Sequence, residues 1–208
     1  SAHELRVTNG AVAKAGIDDT QMALDLIERA LQADRSDAMV LLQAGALHLV
    51  LAGDERRAFA LLEEAEALNP NSLLIANTSA YCYWHAGYID TAIARHERVL
   101  GVGPFVPETI WTMNGLAMSH LSAGRAEEAL HWGRRVLERT EALDSAHCLV
   151  AASYAHLGEQ GKAEARVGRA LAIWPELSVK RLIGFKTAPK AQFQLLEDGL
   201  LKAGLPAG

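Results

Sequence analysis

Between Gly87 and Pro104 the chain reads GYIDTAIARHERVLGVGP: a glycine, an alanine at Ala92, and a proline closing the stretch. The same frame occurs 34 residues earlier as Gly53, Ala58 and Pro70. It returns 37 residues later as Gly124 and Ala129, with Glu141 where the proline would stand, and after a further 34 as Gly158, Ala163 and Pro175. Three extra residues in the Gly103–Pro107 connection account for the longer step. Four registrations of one small-residue frame mark a tandem repeat, so architecture is read from the period first.

Each unit predicts two helices. Ahead of each glycine, apolar and small residues recur at three- and four-residue spacing: Leu42, Ala46 and Leu49; Ala76, Ala80 and Tyr83; Met113, Ala117 and His120; His147, Ala151 and Tyr154. Such spacing puts each set on one helix face. The glycine supplies the turn, where a left-handed backbone costs least. A second helix follows, carrying Ala58, Leu62 and Ala65, then Ala92, His96 and Val99, then Ala129, Gly133 and Val136, then Ala163, Val167 and Ala170. Proline then stops it. The expectation is an all-α superhelix of antiparallel helix pairs, with repeats at 39–72, 73–106, 110–143 and 144–177. Ala23, Ile27 and Ala30 mark the second helix of a degenerate first repeat within 1–38, its partner falling somewhere in 3–15. Residues 178–208 form a C-terminal capping segment: 178–188 read as a short helix or loop, and 190–203 as a helix placing Phe193, Leu196, Leu200 and Leu201 near one side. Repeat arrays need such a cover for their last apolar face.

The 34-residue pattern resembles the tetratricopeptide repeat (TPR), most clearly at Gly53, Ala58, Ala65 and Pro70, at Ala80, Tyr83, Gly87, Ala92 and Pro104, and at Ala151, Tyr154, Gly158, Ala163, Ala170 and Pro175. It departs at Glu141, at Gly133 where a large residue is usual, and at Leu49 and His120 where an aromatic is usual. The resemblance implies a right-handed superhelix whose first helices line a concave groove and whose second helices form the convex face.

Composition narrows the function. Half of the 208 residues are hydrophobic and the net charge is −5, which argues against disorder and against a general nucleic-acid binder. No apolar run is long enough to span a bilayer, and two cysteines, Cys82 and Cys148, fit a reduced, cytoplasmic protein. Catalytic signatures are missing. Gly158-Glu159-Gln160-Gly161-Lys162 lacks the spacing and hydroxyl of a phosphate loop, and Gly101-Val102-Gly103-Pro104 lacks a third glycine and a preceding strand. His96-Glu97 has Leu100 where a zinc-protease motif needs its second histidine. The other histidines do not pair at metal-ligand spacing, so neither a metal nor a cofactor is expected, and the chain alone is read as non-enzymatic.

Surface chemistry remains. The TPR register directs Gln43, Leu47, Asn77, Tyr81, Trp84, Trp111, Asn114 and Met118 into the groove. Asn77 and Asn114 fall at equivalent places and could pair with the backbone of an extended ligand, while Tyr81, Trp84 and Trp111 would anchor it. The occupant is a protein or peptide, the chain's own terminal segment, or a segment of a neighbouring chain in a homo-oligomer; packing of these aromatics is the alternative. The groove positions carry no lysine or arginine, which disfavours a carboxylate-terminated peptide. On the outer helices Arg95, Arg98, Arg135, Arg166 and Arg169 align as a convex basic ridge, suited to an anionic partner or, beside Glu97, Glu138 and Glu164, to plain solvation.

The tail Leu196-Glu197-Asp198-Gly199-Leu200-Leu201-Lys202-Ala203-Gly204-Leu205-Pro206, after Phe185-Lys186, resembles the end of TPR-bearing class III adenylate cyclases of rhizobia. The run Ala86–Ile93 with Arg98-Val99-Leu100 is similar to their repeats. That resemblance implies a bacterial signalling protein whose cyclase domain lies upstream of Ser1, and a regulatory or assembly role for this chain. The alternative is a stand-alone TPR adaptor or the TPR part of a transcriptional regulator.

Overall fold

Three helix starts in the first two repeats are fixed by short polar side chains. Asp37 accepts from the backbone N–H of Met39 and Val40, Asp54 from that of Arg57, and Ser72 from that of Ile75. Each satisfies a donor the first helical turn would otherwise leave unpaired. Helix ends are set by the repeat glycines: Gly53, Gly87, Gly124 and Gly158 all adopt positive φ, between 64° and 91°. At the last three turns the hydrogen bonds repeat as well, Tyr88, Arg125 and Glu159 N–H donating to the Tyr83, His120 and Tyr154 carbonyls, whereas at the first Asp54 N–H donates to the His48 carbonyl.

The computed structural model describes residues 17–102, 109–183 and 189–208. Its helices are α1 (Ile17–Ala33), α2 (Ala38–Leu47), which runs on as a π-turn over His48–Ala52, α3 (Glu55–Leu68), α4 (Leu73–His85), α5 (Ile89–Val102), α6 (Thr109–Ser122), α7 (Ala126–Leu137), α8 (Asp144–His156), α9 (Gln160–Ile173), α10 (Val179–Ile183) and α11 (Lys190–Lys202). No strand occurs among the described residues. Antiparallel pairs α2/α3, α4/α5, α6/α7 and α8/α9 stack in order, with α1 against α2. The partner expected for α1 within 3–15, the Gly103–Pro107 connection, and Phe185-Lys186 lie outside the described residues.

Small residues let the pairs close. A methyl on Gly45 would sit 2.9 Å from the Ala58 carbonyl, and one on Gly115 only 2.5 Å from the His96 ring. The unusual Gly133 has the same explanation, since a Cβ there would lie 2.7 Å from Val150 Cγ2 of the next repeat. Ala58, Ala65, Ala92, Ala129 and Ala163 are all fully buried.

The C-terminal helix lies on the inner face, where the sequence reading put the chain's own terminal segment as one groove occupant, and not at the end of the array. As an end cap, α11 would lie against α9, the last outer helix. It packs instead on α8 and α6, the inner helices of the last two repeats, and reaches Trp84 on α4. Leu177, Val179 and Leu182 bury beside Val167 and Ala170, with Leu205 in the same cluster. The Pro206 and Ala207 carbonyls accept from the N–H groups of Val179 and Lys180 at 2.9 and 3.0 Å, tying the tail to the start of α10.

Candidate functional site

The inner helices α2, α4, α6 and α8 present the surface the sequence nominates. Along the C-terminal halves of α4, α6 and α8 this surface is occupied by α11. Phe193 meets the Trp84 indole edge-on at 5.2 Å, and the indole N–H donates to Ser122 Oγ at 3.0 Å. At the other end of α11, Gly199 rests on the Ala152 backbone so closely that a Cβ would fall 2.8 Å from Ala152 Cα. Phe193, Leu196, Leu200 and Ala203 are buried in this contact, whereas Leu201 faces solvent.

Polar contacts run along the same edge. The Ser122 hydroxyl lies 2.9 Å from the Gln192 carbonyl and 2.9 Å from that of Met118. His156 Nε2 donates to the Leu195 carbonyl at 2.7 Å, and Gln160 Nε2 to the Lys202 carbonyl at 2.7 Å. With its nitrogen donating to Pro189, the Gln192 amide oxygen accepts from Gly87 N–H at 3.2 Å. The sequence reading missed these residues. Ser122 and His156 sit at equivalent positions 34 residues apart, and a polar residue recurring in the last turn of an apolar helix was the available signal.

The nominated residues therefore divide. Trp84, at 5% exposure, is covered by α11. Leu47 is buried with Leu41, Leu62 and Ile75 in the core of the first repeats, so it too is absent from the groove surface. Asn114 is 6% exposed and engaged internally: its Oδ1 takes Ser145 Oγ–H at 3.3 Å, and it hydrogen-bonds the Tyr81 hydroxyl. Asn77 Oδ1 faces His96 Nδ1 at 3.1 Å. The amide oxygens of both asparagines are thus engaged inside the array. Tyr81 donates to the Trp111 carbonyl at 2.8 Å; loss of water around its hydroxyl pushes its pKa up to about 12, against the smaller pull of Asn114. Met118 is half-buried. Gln43 is exposed, as is Trp111 at 55% and, one repeat earlier at the matching position, Leu74 at 58%.

On the outer face the arginines do not form an open ridge, because glutamates of the preceding repeats meet them. Arg95 lies over the Tyr83 ring at 4.2 Å and pairs with Glu66, which also takes Arg98 at 3.0 Å. Arg169 pairs with Glu141 at 2.7 Å, with Arg166 3.9 Å from the same carboxylate. The Arg169 hydrogen bond holds the Glu141 pKa below the ordinary carboxylate range. Arg135 stacks over Trp132 at 4.9 Å. Glu141, the residue that displaces the repeat's proline, is thus the acceptor joining the last two repeats.

His96 is fully buried; burial drives its pKa down to about 3. Burial likewise pushes the Cys82 thiol up to about 12, leaving it protonated and unreactive. Among the described residues no three His, Cys, Asp or Glu side chains converge as a metal-ligand set, and no helix is long and apolar enough to cross a membrane.

Residues 71–142 match the tetratricopeptide repeat family. No curated protein matches the chain. Among solved structures it is similar to PilW, a widely conserved type IV pilus biogenesis factor, with TM-score 0.69 and 16% identity over 94% of this chain and 90% of that one. MamA superimposes with TM-score 0.62 and 16% identity, covering 76% of this chain and 91% of its own. YrrB, a TPR protein with an unusual peptide-binding site, gives TM-score 0.57 and 16% identity over 86% of this chain and 92% of its own. With the left-handed turn glycines, the paired helices and the buried alanine frame, these likenesses make residues 71–142 tetratricopeptide repeats and the chain's fold a TPR superhelix.

Proposed function

We propose that the chain is a non-catalytic interaction module that holds a protein partner on the face of its inner helices. One observation carries this reading: Leu74 and Trp111 occupy the same position in successive repeats and are both more than half exposed, although each opens an otherwise well-buried helix. Large apolar side chains repeated at one register and left in water favour a partner that covers them. The arginines of the outer face, mostly neutralised within the array, offer an anionic partner much less.

The tail resemblance supports a finer reading, in which the module is the C-terminal regulatory or assembly part of an adenylate cyclase-like signalling protein. In the fold that tail has structural work, with Leu205 buried and Pro206 and Ala207 bonded to α10. The size of the native polypeptide and cyclase activity of the full-length protein test this: a native band at 22.4 kDa would make the chain a free-standing adaptor instead. For the binding face, Leu74→Ala with Trp111→Ala should abolish partner capture and leave the helical circular dichroism and thermal midpoint unchanged. Undiminished capture by the double variant would remove the face from consideration.

A further inference from the structure

α11 sits on the inner helices as a ligand would, and the way it is held specifies what else fits there. Three of its polar contacts to the array go through its own backbone: the Gln192, Leu195 and Lys202 carbonyls meet Ser122, His156 and Gln160. Every helix carries such carbonyls, so these donors read a helix and not a sequence. Sequence enters through the Gln192 amide, which meets Gly87 N–H, and through the buried stripe Phe193, Leu196, Gly199, Leu200 and Ala203. Within it Gly199 is indispensable for geometry: a side chain there meets Ala152 Cβ, Cα and O at 2.7 to 2.9 Å, backbone that cannot swing aside. A glycine in mid-helix costs about 1 kcal/mol relative to alanine, so the close crossing is bought at the expense of the helix itself.

We propose that this surface is a helix-binding groove closed in cis by α11, and that its partner is an amphipathic helix of another protein. That helix carries the stripe aromatic-x2-leucine-x2-glycine-leucine-x2-alanine, displaces α11 and takes over its carbonyl contacts. A second copy of this chain is the less suited source of the helix, because α11 is fastened to its own chain beyond its end. Leu205 is buried and the Pro206 and Ala207 carbonyls are bonded to α10, so an exchange would also strip out the tail. The inference rests on the reading of the chain as an interaction module and gives that module its ligand class. It also makes α11 autoinhibitory, since an intramolecular helix competes at millimolar effective concentration.

The test uses the full chain and a fluorescein-labelled synthetic peptide of residues 189–208. Gly199→Ala strengthens α11 as a helix while evicting it from the groove, leaving the groove's own residues intact. The peptide should bind the Gly199→Ala chain at least about tenfold more tightly than the wild-type chain and become helical on binding. The same peptide carrying alanine at 199 should bind neither. Phe193→Ala is the second variant, to be used if Gly199→Ala lowers helical content; it should open the groove to the peptide in the same way. Equal peptide affinity for wild-type and both variant chains overturns cis closure. No binding to variants whose α11 amides exchange freely overturns the helix-binding groove. A wild-type dimer by light scattering that Gly199→Ala dissolves overturns the separate partner in favour of a second copy. Because the peptide assay needs no natural partner, its outcome is independent of whether Leu74 and Trp111 capture one.

Discussion

His96, His120 and His147 are buried in successive helix pairs, and each has a ring nitrogen without a hydrogen-bond partner among the described residues. Burial is the leading cause that lowers the pKa of all three; near His120 the charges of Glu128, Arg125, Glu97 and Asp90 partly offset one another. A histidine that protonates less readily when folded gives stability that is complete above its unfolded pKa, near 6.5, and is lost as pH falls toward the folded value, about 3 for His96. Carboxylates begin to titrate only lower, so the span from pH 6.5 to about 5 belongs to the imidazoles. The unfolding free energy from urea titrations should fall over that span, by up to about 1.4 kcal/mol per pH unit for each proton taken up on unfolding. His96→Gln, neutral at every pH, should flatten it; an equally steep variant would show that His96 is not the group responsible. Sequence alone reads His96 and His120 as half-buried packing histidines in aromatic positions. What it cannot reveal is how completely they are desolvated, because the methyl-free Gly115 facing His96 belongs to the next repeat.

At the scale of helices, the pairs are joined by charge staples that run from one repeat to the next. Arg35 meets Glu64, Arg57 meets Glu28, Arg95 and Arg98 meet Glu66, Arg125 meets Asp90, and Arg169 meets Glu141. Most of these side chains are well exposed, and such pairs are worth little individually. The Arg95–Glu66 pair differs, since both side chains are mostly buried, at 19% and 17% exposure. Glu66→Ala would strand the Arg95 guanidinium between Tyr83 and Ser79, and should cost about 1–3 kcal/mol in urea unfolding. Arg98→Ala removes only the exposed arm of the same cluster and should cost less than about 0.5 kcal/mol. Similar costs for the two would mean that the Glu66 carboxylate is solvated despite its surroundings. The repeat frame makes the arginines visible in the sequence as an aligned row. Their acceptors follow no repeat register: Glu66 and Glu141 stand at different places in their units, so the row reads as an open ridge until the structure closes it.

For the molecule as a whole, stacked repeats touch only their neighbours, so an array alone gains cooperativity one interface at a time. α11 breaks that rule by joining Trp84 in the second repeat pair to Ala152 in the fourth. The turns, pair order and buried alanine frame are legible in the sequence because each depends on residues close in the chain. The path of α11 is not, since Phe193, Leu196 and Leu200 form the same apolar stripe whether the helix caps the end or lies across the inner face. Only Gly199, a helix-weakening residue in the middle of that stripe, hints at a close crossing. The consequence is measurable in how the protein unfolds. Phe193→Ala deletes a ring buried to 2% exposure, a loss of about 3–5 kcal/mol where the site cannot collapse. The loss should not spread evenly, because local opening is set by the weakest unit. α11 amides should lose hydrogen-exchange protection while those of α4 to α9 keep theirs. With the second and fourth pairs no longer tied, the urea transition should also become shallower, since its slope follows the surface exposed in one concerted step. A transition that moves to lower urea at unchanged slope, with protection lost equally along α4 to α11, would instead mean that the four pairs unfold as one unit without help from the C-terminal helix.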